Sequence, residues 1–519
     1  MIHLNNIFSV SKYESKLLMR SWFFKVFAVL SVLLIALASV GILEINQHAF
    51  NSIPSLVAYN LMLYFNVVQA IVSIFLASEY LKRDKQLDTS EVFYVRPLSN
   101  AEYLLGKMWG TIRVFLMLNL VVMVIAITIS YIYMQENVSP LSFLLYFALL
   151  NIPTLVYIVG LSTLLMLIIK NQALTFVILL GYIGLTLFYV GDKCYYLFDY
   201  MGFNIPLVKS TITGFSDLQG ILIHRLLYFL LGLGFILCSI SLFRRLPNSP
   251  RALFPWKVAS VFMLSAALVC GGYHVGVYII KENFQQKMIS LNNQYVHEPK
   301  MEVDSCYIEV VQEREVLNFK THIQGTPIKD ASTFIFTLNP GFQITSVHTD
   351  GKPVDFRREE HLLWLDFPQV LTKNDSVRFT IEYEGMIDER ICYLDIPEEL
   401  LIEQEKFMST FNIGKRYSYQ TETYTLLTPE SYWYPRPGVC YSSESPDWQQ
   451  CYFSNFQMRV KPNQGLTALS QGERQLEADS VTTTFNPEYP LQSLSLIIGK
   501  YNDFSITVDE TQYAVWYLD

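Results

Sequence analysis

The chain has 519 residues, 51% of them hydrophobic and 14% aromatic, with a mean hydropathy of +0.28. That is too apolar for a single soluble domain of ordinary composition. The net charge of −8 averages two unlike halves, and neither half interleaves a basic patch with aromatic residues, so nucleic acid is set aside as a partner.

The first stretch, 1–21, mixes Ile7, Phe8, Val10, Leu17 and Leu18 with Lys12, Glu14, Lys16 and Arg20. This is the pattern of an amphipathic helix that lies along a membrane surface. The apolar run after it has no small-residue cleavage pattern, so it reads as a retained helix and not as a signal peptide. Seven apolar runs then follow: Trp22–Leu43, Leu56–Ala77, Val114–Met134, Phe143–Ile169, Ala173–Val190, Leu226–Phe243 and Val258–Ile280. A helix rising 1.5 Å per residue needs roughly 20 residues to cross a ~30 Å hydrocarbon core. The fifth and sixth runs sit near the lower limit of that length.

Lys and Arg are retained on the cytoplasmic side of a membrane, so loop cations predict orientation. With the N-terminus inside, fifteen Lys and Arg fall on inside segments, against Lys193, Lys209 and Arg225 outside. Seven spans then place everything after Lys281 outside. Two loops stand apart. Glu79–Arg113 is long and charged, and Arg96-Pro97-Leu98-Ser99 predicts a turn followed by a helix start. Ser99 is the N-cap there, and Glu102, three residues on, completes a capping box. Gly191–Arg225 is rich in Tyr and Phe with few charges, and is expected to re-enter the membrane or lie on it. Asn60, Asn66, Gln69, Asn119 and Asn151 are the polar residues within spans, and interhelical hydrogen bonds are the expected use for them. His274 has no carboxylate near it in its span, and no proton relay is expected of it.

The six spans, the amphipathic start and the loop SEYLKRDKQLDTSEVFYVRPLSNAEYLLGK together resemble an ABC exporter permease of the type-2 class, over roughly Met1–Phe243. The resemblance implies that the Glu79–Gly110 region and the N-terminal helix dock on an ATPase subunit, with Glu91, Arg96, Ser99 and Glu102 as the docking residues. It also implies pairing of two six-span halves, as a homodimer or with a second permease half. The ATPase itself is absent from the sequence. Gly106-Lys107 lacks the upstream glycine and the following hydroxyl that a phosphate cradle needs, so ATP belongs to a separate subunit.

After Lys281 the apolar period changes from 3.6 to 2. Val377, Phe379, Ile381 and Tyr383 alternate with Arg378, Thr380 and Glu382, as in a strand with one buried face. Further strands are predicted at Ser305–Gln312, Val316–Ile323, Thr333–Leu338, Ile344–His348, Leu362–Phe367, Phe453–Val460 and Leu494–Ile498. Asp350-Gly351 between two apolar runs is a hairpin signal. Short strands at this spacing predict a mainly antiparallel sheet or sandwich.

Three stretches of this half, LLTPESYWYPRPG, FSNFQMRVKPNQGLTALSQGE and VTTTFNPEYPLQSLSLIIGKYNDF, resemble in that order the N-terminal β-domain of the aminopeptidase N family of zinc metallopeptidases. The chemistry of that family needs H-E-x-x-H on a helix, which sets two imidazoles on one face for zinc with the Glu as base. The sequence has no such motif. His297-Glu298 runs into Pro299, and no two of the eight histidines are four apart. No catalytic or metal residue is therefore assigned, and zinc would belong to a catalytic domain these residues do not include. By the resemblance, the loop carboxylate Glu430 is the candidate for holding a peptide's free amine. Cys440 and Cys451 flank a polar loop and are expected to form a disulfide if the domain is extracytoplasmic.

The sequence thus predicts a helical bundle of about seven transmembrane helices followed by a mainly antiparallel β-domain. The expected divisions are 1–21 (surface helix), 22–245 (six-span permease-like domain), 255–281 (seventh span) and 300–519 (extracytoplasmic β-domain in a cell, or inner, membrane). The functional expectation is an ABC permease component fused to an aminopeptidase-like domain. A membrane-anchored aminopeptidase subunit, or a peptide- or protein-binding module without transport, is the alternative.

Overall fold

The computed structural model describes residues 3–45, 54–86, 98–134, 138–243, 250–373, 375–396, 416–442, 452–509 and 511–518. They fall into two compact units, one up to Tyr278 and one from Ile279 on. Glu91, Arg96 and Cys451 lie outside the described residues.

The first unit is helical. Helix α1 (Leu4–Arg20) stops at Ser21, whose extended backbone (φ −60°, ψ 132°) turns the chain into α2 (Trp22–Ile45). Helices α3 (Pro54–Gln86), α4 (Asn100–Met134) and α5 (Pro140–Tyr146) follow. A π-helical turn, Phe147–Asn151, joins α5 to α6 (Ile152–Ile169). Lys170, left-handed at φ 61°, ends α6. Asn171 then caps α7 (Gln172–Leu185) by accepting from the Leu174 N–H at 3.2 Å. Asp217 starts α8 (Leu218–Leu242) the same way, through Gly220 N at 2.9 Å. The last helix, α9, is Pro250–Tyr295. Among the described residues, seven helices are long and apolar enough to cross a membrane, judged by length and composition.

Two boundaries differ from the sequence reading for a physical reason. The short helix predicted at Ser99 and the span predicted at Val114 are one 35-residue helix. Nothing between them breaks helical hydrogen bonding, since Gly106 and Gly110 only lower propensity. The seventh span lies inside α9, which runs 46 residues because its polar continuation (Lys281–Tyr295) keeps good helix formers and has no Pro or Gly.

The 191–217 segment neither forms a span nor lies open. Tyr200, Met201 and Leu207 are fully buried and Ile205 and Val208 nearly so, with the backbone in turns. Irregular backbone of this kind is tolerated at membrane depth where protein surrounds it.

The second unit is β-rich. Its main sheet has the order β14-β15-β12-β1-β2-β8-β4-β5. In it β1 is Met301–Glu313, β2 Val316–Pro327, β4 Phe342–Thr349, β5 Lys352–Pro353 and β8 Val377–Gly385. Strands β12 (Asn455–Lys461), β14 (Glu473–Leu476) and β15 (Thr483–Asn486) complete it. The pairing is antiparallel except for β1 and β12, which run parallel in the register Cys306↔Phe456. The Asp350-Gly351 turn forms as predicted, with both residues at positive φ (48° and 75°) and Thr349 paired to Lys352.

A second sheet sets β11 (Arg436–Pro437), β3 (Ala331–Thr337), β7 (Leu362–Leu371) and β6 (Asp355–Glu359) side by side. A third sets β13 (Thr467–Leu469), β16 (Leu496–Gly499), β10 (Thr425–Leu427) and β9 (Tyr419–Gln420). The three share one core, where Phe336 meets Phe379 edge-on with ring centroids 5.6 Å apart, and Leu427, Leu496 and Ile498 close the other side. A terminal hairpin, β17 (Tyr501–Val508) and β18 (Thr511–Leu518), stands as its own two-stranded sheet.

Candidate functional site

Helix α1 is seated on the first turns of α4. Its buried side carries Ser11, Glu14, Ser15 and Leu18. Opposite them α4 presents Gly106 and Gly110, one helical turn apart. A Cβ on Gly106 would meet the Val10 Cβ at 2.6 Å, and one on Gly110 would meet the Ser11 carbonyl oxygen at 2.9 Å. Small residues four apart let two helix backbones approach this closely. Two polar contacts cross the interface, while the buried Ser11 hydroxyl has no hydrogen-bond partner among the described residues. Ser15 Oγ donates to the Gly110 carbonyl at 3.1 Å, and the Glu14 carboxylate lies 3.4 Å from Lys107 Nζ, both side chains buried.

The predicted capping box is present at the top of α4. The Ser99 N–H donates to Glu102 Oε2 at 2.8 Å, and the Glu102 N–H to Ser99 Oγ at 3.2 Å. The second carboxylate oxygen of Glu102 accepts from the His3 N–H at 2.6 Å, at the start of α1. Glu102 is only 2% exposed, and its carboxylate serves the two helix starts.

Deeper in the same unit lies a buried polar chain that links four helices. Asn119 (α4) donates to Gln69 Oε1 (α3) at 2.5 Å; Gln69 donates to Asn66 Oδ1 at 3.4 Å and to the Asn151 carbonyl at 3.1 Å. Asn66 donates to Thr154 Oγ1 (α6) at 3.1 Å and to the Met201 carbonyl at 2.8 Å. Thr154 Oγ1 also accepts from Arg225 Nη2 (α8) at 2.9 Å. Arg225 then donates to three carbonyls: Leu149 at 2.7 Å from Nε, Tyr200 at 2.9 Å from Nη1, and Leu150 at 3.2 Å from Nη2.

The arginine sits where helical hydrogen bonding fails. Pro153 has no N–H for the Leu149 carbonyl four residues earlier, and the chain swells into a π-turn there. Arg225 supplies the missing donor. It is 2% exposed, so it belongs to the bundle and not to an outer loop, a correction to its use as a loop cation. The sequence signal that was available is Asp217, an N-cap eight residues earlier that puts Arg225 inside a helix. Asn66, Gln69, Asn119 and Asn151 do make the interhelical bonds expected of polar residues in spans.

His224 and His274 are both buried, with rings 5.2 Å apart. Each donates from Nε2 to a neighbouring carbonyl: Tyr196 at 2.9 Å for His224, Tyr195 at 2.8 Å for His274. Those carbonyls belong to a run of three left-handed residues, Cys194 (φ 50°), Tyr195 (57°) and Tyr196 (64°). The two imidazoles hold an uncommon backbone that would otherwise cost on the order of 1 to 3 kcal/mol per residue.

In the β unit, the loop that carries Glu430 is a 3-10 turn, Pro429–Ser431, ended by Tyr432 at φ 50°. Asn339 holds it, its amide donating to the Ser431 carbonyl at 2.6 Å and its N–H to the Tyr432 carbonyl at 2.8 Å. Trp433 is fully buried, and its indole N–H donates to the Leu494 carbonyl at 3.2 Å. The Leu494 N–H returns to Tyr434 Oη at 3.2 Å. The aromatic residues of this loop are therefore core. The ends of the stretch form the short strands β10 and β11.

Glu430 is half-buried on the turn. It lines neither the small cavity of about 40 Å³ beside Cys306, Thr337, Tyr434 and Arg436 nor the open depression of about 670 Å³ on the main sheet. That depression is lined by groups that satisfy each other. Lys320 pairs with Glu382 at 3.0 Å, His322 with Thr380 at 2.8 Å and Arg378 with Gln324 at 3.2 Å. Burial pushes the Cys306 thiol up to about 12, so it is an inert packing group. Cys440 is buried and accepts from Asn292 Nδ2 at 3.0 Å, while its proposed partner is outside the described residues. Among the described residues, no three of His, Cys, Asp and Glu converge on a point that suits a metal ion.

No protein-family model matches the sequence, and no curated protein matches it. Solved structures do align with part of it. The M1 zinc metallopeptidase from Deinococcus radiodurans aligns at 15% identity with a TM-score of 0.31, covering 40% of this chain and 44% of that one. A mutant of it bound to a Tyr-Ser-Ala substrate aligns at 15% identity and a TM-score of 0.32, covering 41% and 46%. The chain thus spans less than half the length of the structures it matches.

Proposed function

We propose that the chain is the membrane component of an ABC-type transporter, joined to an aminopeptidase-like β-domain on the extracytoplasmic side of a cell (inner) membrane. The observation that carries this reading is the clamp of α1 on the opening turns of α4, which begins directly after Ser99. A permease must pass work from an ATPase into its spans. Here the element behind the predicted docking loop is a single 35-residue helix that continues into a span, and α1 braces its first turns. Loop cations support a cytoplasmic location for that end. With Glu102 engaged inside the protein, docking rests on the loop residues Glu91 and Arg96 and on the exposed edge near Ser99. ATP and zinc belong to polypeptide other than these residues, and the working unit pairs this bundle with a second six-span half.

The test is co-purification of the full chain with its ATPase. Reversal of Glu91→Arg and Arg96→Glu together is expected to abolish it and leave the amount of membrane-inserted chain unchanged. Unaltered co-purification sinks the docking assignment. Topology is tested separately. A reporter fused after Lys300 should read as exported and one after Arg251 as cytoplasmic; the same side for both overturns the two-compartment reading.

A further inference from the structure

We infer that the outward face of α1 is a docking surface for anionic lipid headgroups. The helix has one carboxylate, Glu14, and that carboxylate is turned inward onto Lys107. Its other charged residues, Lys12, Lys16 and Arg20, are all exposed. At 100° per residue they form a single stripe, four residues apart, down the middle of the face opposite Ser11, Glu14, Ser15 and Leu18.

Large apolar side chains flank the stripe. Phe8 (56% exposed) and Met19 (43%) lie to one side and Tyr13 (54%) to the other, with Trp22 (79%) just beyond the helix end. Lys25 continues the charge onto α2 and is exposed as well. A face with cations at its centre, aromatic and thioether groups at its margins and no acid suits the boundary between headgroups and acyl chains. Position gives the same depth. Only Ser21 separates α1 from α2, which is apolar enough to span, so α1 is held at the membrane interface by the chain itself. The charge complement of three bare cations there is a layer of anionic headgroups.

The clamp on α4 makes the surface selective for charge. A free amphipathic helix turns its apolar side to the bilayer. This one has committed its small and polar side to α4, and what remains to meet the membrane is the basic stripe. The inference rests only on α2 crossing a bilayer, and it stands or falls independently of ATPase docking.

The full chain, purified in detergent and exchanged into nanodiscs of equal phosphatidylcholine and phosphatidylglycerol, is then released and its retained lipid counted by native mass spectrometry. The wild type is expected to retain phosphatidylglycerol over phosphatidylcholine, and 1 M salt to remove the preference. Each cation near an anionic surface is worth about fivefold. The triple variant Lys12→Gln/Lys16→Gln/Arg20→Gln should therefore lose about a hundredfold of the preference, while Lys12→Arg/Lys16→Arg keeps it. If the triple variant does not fold, Lys16→Gln alone should lower the ratio about fivefold. Equal ratios for wild type and variant overturn the proposal. Loss of ATPase co-purification with an unchanged lipid ratio also overturns it, and assigns the face to the protein partner instead.

Discussion

Each half of the molecule uses one arginine to collect backbone carbonyls at a break in regular structure, and the settings differ. In the helical half, Arg225 serves Leu149, Leu150 and Tyr200 where Pro153 and a π-turn interrupt a helix. In the β half, Arg358 serves Leu338 at 3.3 Å, Asn339 at 2.5 Å, Glu360 at 2.9 Å and the Phe342 carbonyl, where the chain leaves β3 and turns at Pro340-Gly341 into β4. Arg225 also has the buried side chains of Thr154 and Asn66 behind it. Arg358 sits partly open, and burial still lowers its guanidinium to about 10. A guanidinium fits both places because its planar fork offers five donors that stay charged when partly desolvated. Water can replace a lost donor at the open site and cannot at the closed one.

That contrast is sharpened most by Arg225→Met. Three carbonyls and a hydroxyl each lose a charged donor in a tightly packed bundle, and a loss of roughly 3 to 5 kcal/mol is expected, by analogy with the breaking of a buried charged network. The readout is a collapse of hydrogen-exchange protection in peptides of the first unit. Arg225→Lys should not restore it, since a point charge cannot serve three directions at once.

The next effect is acid lability of the β unit. Burial, with the Arg358 charge beside it, pushes the His361 imidazole down to about 3. Its Nε2–H donates to Asn292 Oδ1 at 2.7 Å, and the ring is kept neutral. The folded value lies below the unfolded one of about 6.5. The stabilisation is therefore fully present above pH ~6.5 and is lost as pH falls from there toward 3, by a few kcal/mol in all. Denaturant unfolding at a series of pH values should show this slope, and His361→Gln should flatten it.

Arg358→Met comes third. A cost of about 2 kcal/mol is expected, smaller than for Arg225, because solvent reaches part of the site. If the two arginine variants cost the same, the contrast between dry and wet carbonyl clusters is wrong. The smallest effect is Asn119→Ala, which removes one interhelical bond at the end of the polar chain and should cost about 0.6 to 1.7 kcal/mol in thermal melts.

The sequence made the spans legible because apolar length is a direct demand of a bilayer. The Ser99–Glu102 box and the Asp350-Gly351 turn were legible because local hydrogen bonding alone decides them. What escaped depends on distant partners. The parallel pairing of β1 with β12 joins residues some 150 apart, as in Ser305↔Asn455, and no local pattern announces it. The hairpin β17–β18 follows the last predicted strand, Leu494–Ile498, and among the described residues pairs only with itself. Arg225 was read as an outer cation because nothing around it in sequence reveals the carbonyls it serves. The Ser99–Glu102 capping box is a local pattern, but only the fold shows that Glu102 also holds His3.

That double duty has a consequence for the order of synthesis. The ribosome releases α1 first, with Glu14 and Ser15 on one side and no complement for them. Their complements, Lys107 and Gly110, and the carboxylate that receives His3, emerge about a hundred residues later. In the meantime the whole of α2 and α3 is made. The first helix therefore cannot take its seat until the start of α4 has been made, so its packing is set by residues far along the chain and not by its own sequence.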